Sequence, residues 1–236
     1  MIPGKMTSPN TLFITGTDTD VGKTWISRLL LEAAVQAGLN VGAYKPACSG
    51  AVRDADGKLV WGDVEELWAG SGKAFPRELI CPQCFEAPLA PNEAAHRQNL
   101  QVSNALLLDG YQAWQQRAEF MIVEGAGGLL CPLTDLQTVA DLAEKIGAPL
   151  VIVAANRLGV INHTMLTVEY ARSRNLDIRT IVLNEVTPQI SDESAQTNLS
   201  QLVRMLPGQV LLQCGYGSRN LQSVDGEIMS PVDLWA

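Results

Sequence analysis

The sequence predicts a doubly wound α/β fold: one mostly parallel sheet with helices on both faces. Three observations carry this. The runs at 120–123 and 150–154 are apolar throughout, the pattern of strands buried on both faces. Strand-length runs alternate with helix-length segments along the chain. The first run, residues 11–15, leads into a glycine-punctuated loop and then a helix, the context of a phosphate-binding loop.

Composition bounds the rest. With 236 residues, 47% hydrophobic and 18% charged, the chain has the size of one large domain, expected over 11–236 after a flexible lead-in at 1–10. No apolar run reaches the roughly 18 residues of a membrane helix. The first ten residues lack the apolar core of a signal peptide, so the expected location is cytoplasmic. A net charge of −8 without a basic run disfavours a nucleic-acid partner. Five cysteines are expected to be reduced thiols. Cys81-Pro-Gln-Cys84 lacks the second ligand pair of a structural zinc site, and zinc or redox chemistry there is disfavoured.

In chain order, apolar residues at helical spacing place the first helix at 23–37, with Gly38 as its stop signal. A short strand follows at 41–46, ended by Pro46. Residues 48–91 are irregular and acidic, with a short helix at 64–69; such a length without periodicity is often functional. Asn92 is a cap for a helix from Glu93, and 102–117 reads as helix with Ser103 near its start. Strand 120–123 runs into Glu124-Gly-Ala-Gly-Gly128. Then come helix 138–146 closed by Gly147, strand 150–154, helix 161–173 and strand 178–186. Ser191 caps a helix to residue 206, and 210–212 is the last strand. The tail from about 215, rich in Gly, Ser and Asn, is expected to be partly disordered.

In such a sheet, ligands bind beyond the carboxyl ends of the strands. Four candidates lie there: the loop 16–24, Lys45, Glu124 and Asn184. In Gly16-Thr-Asp-Thr-Asp-Val-Gly-Lys-Thr24, backbone N–H groups at a helix start suit phosphate oxygens. Lys23 reaches the β/γ-phosphates and the Thr24 hydroxyl is a Mg²⁺ ligand. Glu124 ends an apolar run, where a carboxylate is costly without a cation, and Mg²⁺ is the natural one. Lys45 is a second cation beside Lys23, suited to a reaction that develops negative charge. Asp63 is a further metal-ligand candidate, in competition with Asp54, Asp56, Glu65 and Glu66.

The loop 16–24, Tyr44-Lys-Pro46 with Ser49-Gly50, Val123-Glu-Gly-Ala-Gly-Gly128, Leu158-Gly-Val-Ile-Asn-His163 and Asn184-Glu-Val-Thr187 together resemble the dethiobiotin synthetase family. The resemblance implies ATP-dependent conversion of 7,8-diaminononanoate and CO₂ to dethiobiotin, ADP and phosphate, through a carbamate and a carbamic-phosphoric anhydride. It implies Thr24, Asp63 and Glu124 as Mg²⁺ ligands, and Lys45, Lys23 and Thr19 as catalytic residues. Nucleotide binding falls to Asp20, Val21, Gly22, Lys23, Thr24, Trp25, Asp63, Glu124, Gly125, Ala126, Gly127, Asn184 and Glu185. Substrate binding falls to Thr19, Ser49, Leu158, Gly159, Val160, Ile161 and Asn162, the last five closing the site across a homodimer interface. Where the family usually shows Gly-x-Ile-Pro, this chain has Gln213-Cys-Gly-Tyr-Gly217. The competing reading is a nucleotide-switched partitioning-type ATPase. Such proteins usually carry a lysine early in the loop, where Asp18 stands. A third is an amide-forming ligase acting on a carboxylated macrocycle, normally a longer chain.

Overall fold

Strand β1 (Asn10–Gly16) is bordered on both sides by parallel neighbours in the computed structural model, which describes residues 10–188, 193–229 and 231–234. Helix α1 (Lys23–Gln36) and strand β2 (Val41–Tyr44) follow. The segment expected to be irregular is organised. Strands β3 (Cys48–Ser49), β4 (Val52–Arg53) and β5 (Leu59–Val60) lead to helices α2 (Gly62–Gly70) and α3 (Arg77–Ile80), strand β6 (Cys84–Phe85) and helix α4 (Pro91–Arg97). β3 pairs in parallel with β6, and β4 with β5 as a hairpin. Pairs this short escape a search for periodicity.

Helix α5 (Asn104–Gln112) is shorter than the expected 102–117. Ser103 caps it, accepting from Leu106 N–H at 3.4 Å. Beyond residue 113 the bonding tightens to i→i−3, as from Trp114 to Tyr111, and Trp114 turns fully into the core. At α4 the cap is Ala90 with Pro91 in the first helical position; Asn92 lies inside the helix and donates to Asp135 Oδ1 at 3.3 Å.

Strand β7 (Phe120–Gly128), helix α6 (Val139–Ile146), strand β8 (Leu150–Ala155), helix α7 (Val160–Ser173) and strand β9 (Ile178–Asn184) complete the main layers. Thr138 and Asp141 form a capping box on α6, and Gly147 ends it in the left-handed conformation, as its residue type predicts. Helix α8 (Ala195–Met205) precedes strand β10 (Leu211–Cys214). The expected cap at Ser191 lies outside the described residues. The tail expected to be partly disordered carries strands β11 (Leu221–Gln222) and β12 (Ile228–Met229), with Leu221 fully buried.

The sheet order is β12-β11-β10-β9-β8-β1-β7-β2. The six strands from β10 to β2 are parallel; β11 and β12 are antiparallel at the edge. The unbroken apolar runs account for this: Phe13, Ile14, Phe120 to Val123 and Leu150 to Val153 are 0% exposed, which needs cover on both faces. Register then positions the site. Tyr44 pairs with Val123, Ile14 with Glu124, Gly16 with Val153 and Ala155 with Asn184. Lys45, Glu124, the loop after β1 and Asn184 therefore leave the sheet at one edge.

Candidate active site

The loop between β1 and α1 turns back on itself. A Cβ at Gly16 would meet Asp18 O at 2.7 Å and Val21 Cγ2 at 2.9 Å, so the turn admits only glycine. Gly22, with φ of 90°, precedes α1, and a Cβ there would lie 2.0 Å from Asn184 Nδ2. That close approach lets Asn184 donate to Val21 O at 3.0 Å, tying the end of β9 to the loop. No side chain caps α1, which leaves its first N–H groups available to an anion. Lys23 Nζ donates to Asp18 O at 3.1 Å, folding along the loop.

Below the loop, charges are concentrated. Lys45 Nζ lies 2.6 Å from Asp63 Oδ2 and 2.7 Å from Glu124 Oε1. Thr24 Oγ1 lies 2.9 Å from Asp63 Oδ1 and 3.0 Å from Glu124 Oε1. Ser27 donates to the other Glu124 oxygen at 2.6 Å. Thr24 and Ser27 are one helical turn apart, so α1 presents both hydroxyls to Glu124. Lys45 and Glu124 are buried, while the Asp63 side chain is 41% exposed at the mouth.

The electrostatics follow from this packing. Burial pushes Lys45 down, but Glu124 and Asp63 outweigh it and hold the ammonium well above its ordinary value. Lys45, opposed by burial, holds the Asp63 carboxyl below the usual carboxylate range. Burial, then the charge of Lys45, lowers Lys23. Lys45 is thus a fixed cation, whereas among the described residues no carboxylate lies at salt-bridge distance from Lys23.

A cleft of about 1140 Å³ opens above these groups. Of the predicted residues, Thr19, Asp20, Gly22, Lys23, Thr24, Trp25, Lys45, Ser49, Asp63, Ala126, Gly127, Asn184 and Glu185 line it. Val21, Glu124 and Gly125 are buried beside or beneath it rather than lining it. Leu158, Gly159, Val160, Ile161 and Asn162 are not brought to the cleft of their own chain: they lie at the start of α7, with Leu158 80% exposed. Sequence reasoning missed Pro88 to Pro91, which form part of the wall beside Ser49, although their rigid Ala-Pro-Leu-Ala-Pro composition was a signal. It also missed Ser27, which the one-turn spacing from Thr24 would have found. Tyr216 and Gly217 line the end of the cleft beside Glu185, whose Oε2 accepts from Tyr216 N–H at 3.3 Å.

The donor set suits a hard cation. Two carboxylate oxygens and one hydroxyl oxygen converge, yet the Thr24 hydroxyl has one proton and donates to one carboxylate at a time. Mg²⁺ is typically bound by one or two carboxylates together with substrate phosphates.

A sequence family described as an AAA domain matches residues 10–213. Among solved structures, chloroplast FtsY from Physcomitrella patens aligns with a TM-score of 0.50 at 16% identity, covering 100% of this chain and 67% of that one, a likeness of fold alone. The ATP-dependent dethiobiotin synthetases BioD of Anaeromyxobacter dehalogenans (strain 2CP-C) and Anaeromyxobacter sp. (strain Fw109-5) are each 45% identical over 194 residues, 82% of this chain and 84% of theirs. With that identity over most of both chains, this chain belongs to the ATP-dependent dethiobiotin synthetase family.

Proposed function

We propose that this protein uses ATP to carboxylate 7,8-diaminononanoate with CO₂ and close its ureido ring, giving dethiobiotin, ADP and phosphate. The observation that carries the reading is the second lysine. Lys45 Nζ sits between Asp63 and Glu124, beside Thr24 of the phosphate loop. Nucleotide binding alone asks for one phosphate lysine. A second, held charged by two carboxylates, suits a transition state in which negative charge develops on a transferring phosphoryl group and its acceptor.

In this reading one substrate amine takes up CO₂ as a carbamate, and a carbamate oxygen accepts the γ-phosphoryl group. The second amine then attacks the carbonyl carbon and phosphate leaves. Lys45 bridges carbamate and γ-phosphate, and Lys23 neutralises the phosphates. Thr19 stands with them at the mouth, and Ser49 contacts the diamine or its carbamate. Ser49 is placed for this by β3, its hydroxyl donating to Leu89 O at 2.6 Å. Asn184 and Glu185 read the adenine. Thr24, Asp63 and Glu124 would hold Mg²⁺, which supplies charge neutralisation on the phosphates.

The single domain over 11–236 would act as a homodimer in which Leu158 to Asn162 of a second copy close the substrate end. Exposure of Leu158 at 80% and Leu166 at 63% supports an interface on this surface. No described helix is long and apolar enough to cross a membrane. We place the reaction in the cytoplasm, where ATP is supplied and thiols stay reduced.

The test is ADP release with and without 7,8-diaminononanoate plus bicarbonate, with mass detection of the ring product. Diamine-dependent release with dethiobiotin formation is expected. Release that ignores the diamine and yields no ring would sink the ligase reading and favour the switch-type ATPase.

A further inference from the structure

The sequence motif that the reaction does not use is Cys81-Pro-Gln-Cys84, and the fold places it directly behind Lys45 and Ser49. Lys45 N–H donates to Ile80 O at 2.7 Å, and Cys48 N–H donates to Gln83 O at 2.9 Å. In the β3–β6 pair, Cys48 is the register partner of Cys84, and Ser49 of Phe85. The Gln83 side chain locks the turn: Oε1 accepts from Ser103 N–H at 2.6 Å and Nε2 donates to Pro46 O at 3.3 Å. The backbone of 80–84 is thus stitched to the segment that carries the second lysine and the diamine-contacting serine.

The two thiols sit on one turn, Cys84 Sγ 3.8 Å from Cys81 O and Cys81 Sγ 3.4 Å from Gln83 O, and they differ. Cys81 is buried, and Cys84 is half-buried. Burial, then the contact with Cys84, pushes the Cys81 thiol well up. The hydrogen bond from Cys81, opposed by burial and aided by the charge of Lys45, brings Cys84 down. An accessible nucleophilic thiol backed by a buried resolving one is the arrangement of a redox-responsive dithiol. A metal is a poorer fit: no group of three or more Cys, His, Asp or Glu among the described residues is placed to hold one.

We propose that Cys81 and Cys84 form a reversible dithiol–disulfide site whose oxidation by a low-molecular-weight disulfide displaces the strand bearing Cys48 and Ser49 and so disables the lysine and serine of the reaction centre. The Cys84 thiolate attacks one sulfur of the reagent, its S–S bond breaks and the first thiolate leaves. The Cys81 thiol then gives up its proton and attacks Cys84 Sγ in the mixed disulfide, and the second thiolate leaves. Two protein thiols are oxidised, one reagent disulfide is reduced, and the two protons end on the released thiols. Closure ends the contacts of Cys81 Sγ with Gln83 O at 3.4 Å and of Cys84 Sγ with Cys81 O at 3.8 Å, and Gln83 O is also the acceptor of Cys48 N–H, so rearrangement of this turn is passed to the strand that bears Cys48 and Ser49.

The experiment treats the full chain with oxidised glutathione and reads three quantities. Peptide mapping should find an internal Cys81–Cys84 disulfide. Amide exchange at Lys45 and Cys48 should accelerate and return with dithiothreitol. Diamine-dependent ADP release should fall roughly tenfold or more, as small misplacements of catalytic groups do. Cys81→Ser and Cys84→Ser should keep the reduced activity and escape the inhibition. A disulfide that leaves amide exchange unchanged, a glutathione adduct with no internal disulfide, or equal inhibition of Cys84→Ser and the unmodified protein would each overturn the proposal. The turnover arm rests on the ligase reading, whereas mapping and exchange do not. Failure of the reduced protein to make dethiobiotin therefore counts against that reading alone.

Discussion

Replacing Lys45 by alanine removes a cation from between two carboxylates, and the consequences for activity and stability differ. Ring closure should fall on the order of 10²-fold, as when one preorganised charge contact is lost, measured by single-turnover dethiobiotin formation. The same change strands Glu124, which is 0% exposed, beside Asp63, and should destabilise the fold by about 3 kcal/mol. Adding Glu124→Gln should recover most of that stability in denaturant titrations without recovering activity. Recovery of both would mean that Lys45 is only structural. Asp63 carries the pH signature. Its carboxyl is held below its unfolded value, so its contribution to stability is present above about pH 4 and lost as pH falls through the folded value. Asp63→Asn should lower the melting temperature at neutral pH and match the unsubstituted protein in acid. Lys45 has the opposite sign: its contribution is complete below about pH 10 and is lost only at still higher pH.

The elements around the phosphate loop have little tolerance. Gly22→Ala demands a left-handed backbone and puts a methyl 2.0 Å from Asn184 Nδ2. We expect a stability loss of roughly 1–3 kcal/mol and weakened ATP binding by calorimetry. Unchanged ATP affinity would show that the contact between loop and β9 is not needed. Helix α1 acts through Ser27, whose hydroxyl fixes one oxygen of Glu124 at 2.6 Å. With Glu124 as the proposed Mg²⁺ ligand, Ser27→Ala should raise the Mg²⁺ concentration needed for half-maximal activity on the order of tenfold, the usual effect of losing a partner behind a metal ligand. An unaltered Mg²⁺ titration would refute the positioning role. The loop and helix α1 were readable from the residues because glycines, lysine and hydroxyls follow one another within ten positions. The β3–β6 pair was not, since two-residue strands have no periodicity and their partners, Cys48 with Cys84 and Ser49 with Phe85, are distant in sequence.

At the scale of the whole molecule, the cleft is built by one chain at the phosphate end and, in our proposal, finished by a second at the diamine end. Leu158→Asp should then shift sedimentation toward monomer and raise the KM for the diamine more than that for ATP. A dimer that persists with unchanged kinetics would dismiss this surface as the interface. Thirteen predicted positions line the cleft, and Leu158 to Asn162 are not among its lining residues.

By itself, the sequence determined the parallel sheet, the loop that faces phosphate, and the residue types at its strand ends. Apolar runs and glycine positions are local facts that need no partner to be read. Only the tertiary structure decided which acid meets Lys45. Asp63 was one of five candidate acids in a segment without periodicity, and packing of α2 against α1 selected it. It also decided that the thiols of Cys81 and Cys84 lie behind the reaction centre. Strand pairing joins residues distant in sequence, and no pattern along the chain encodes that meeting until the backbone hydrogen bonds form.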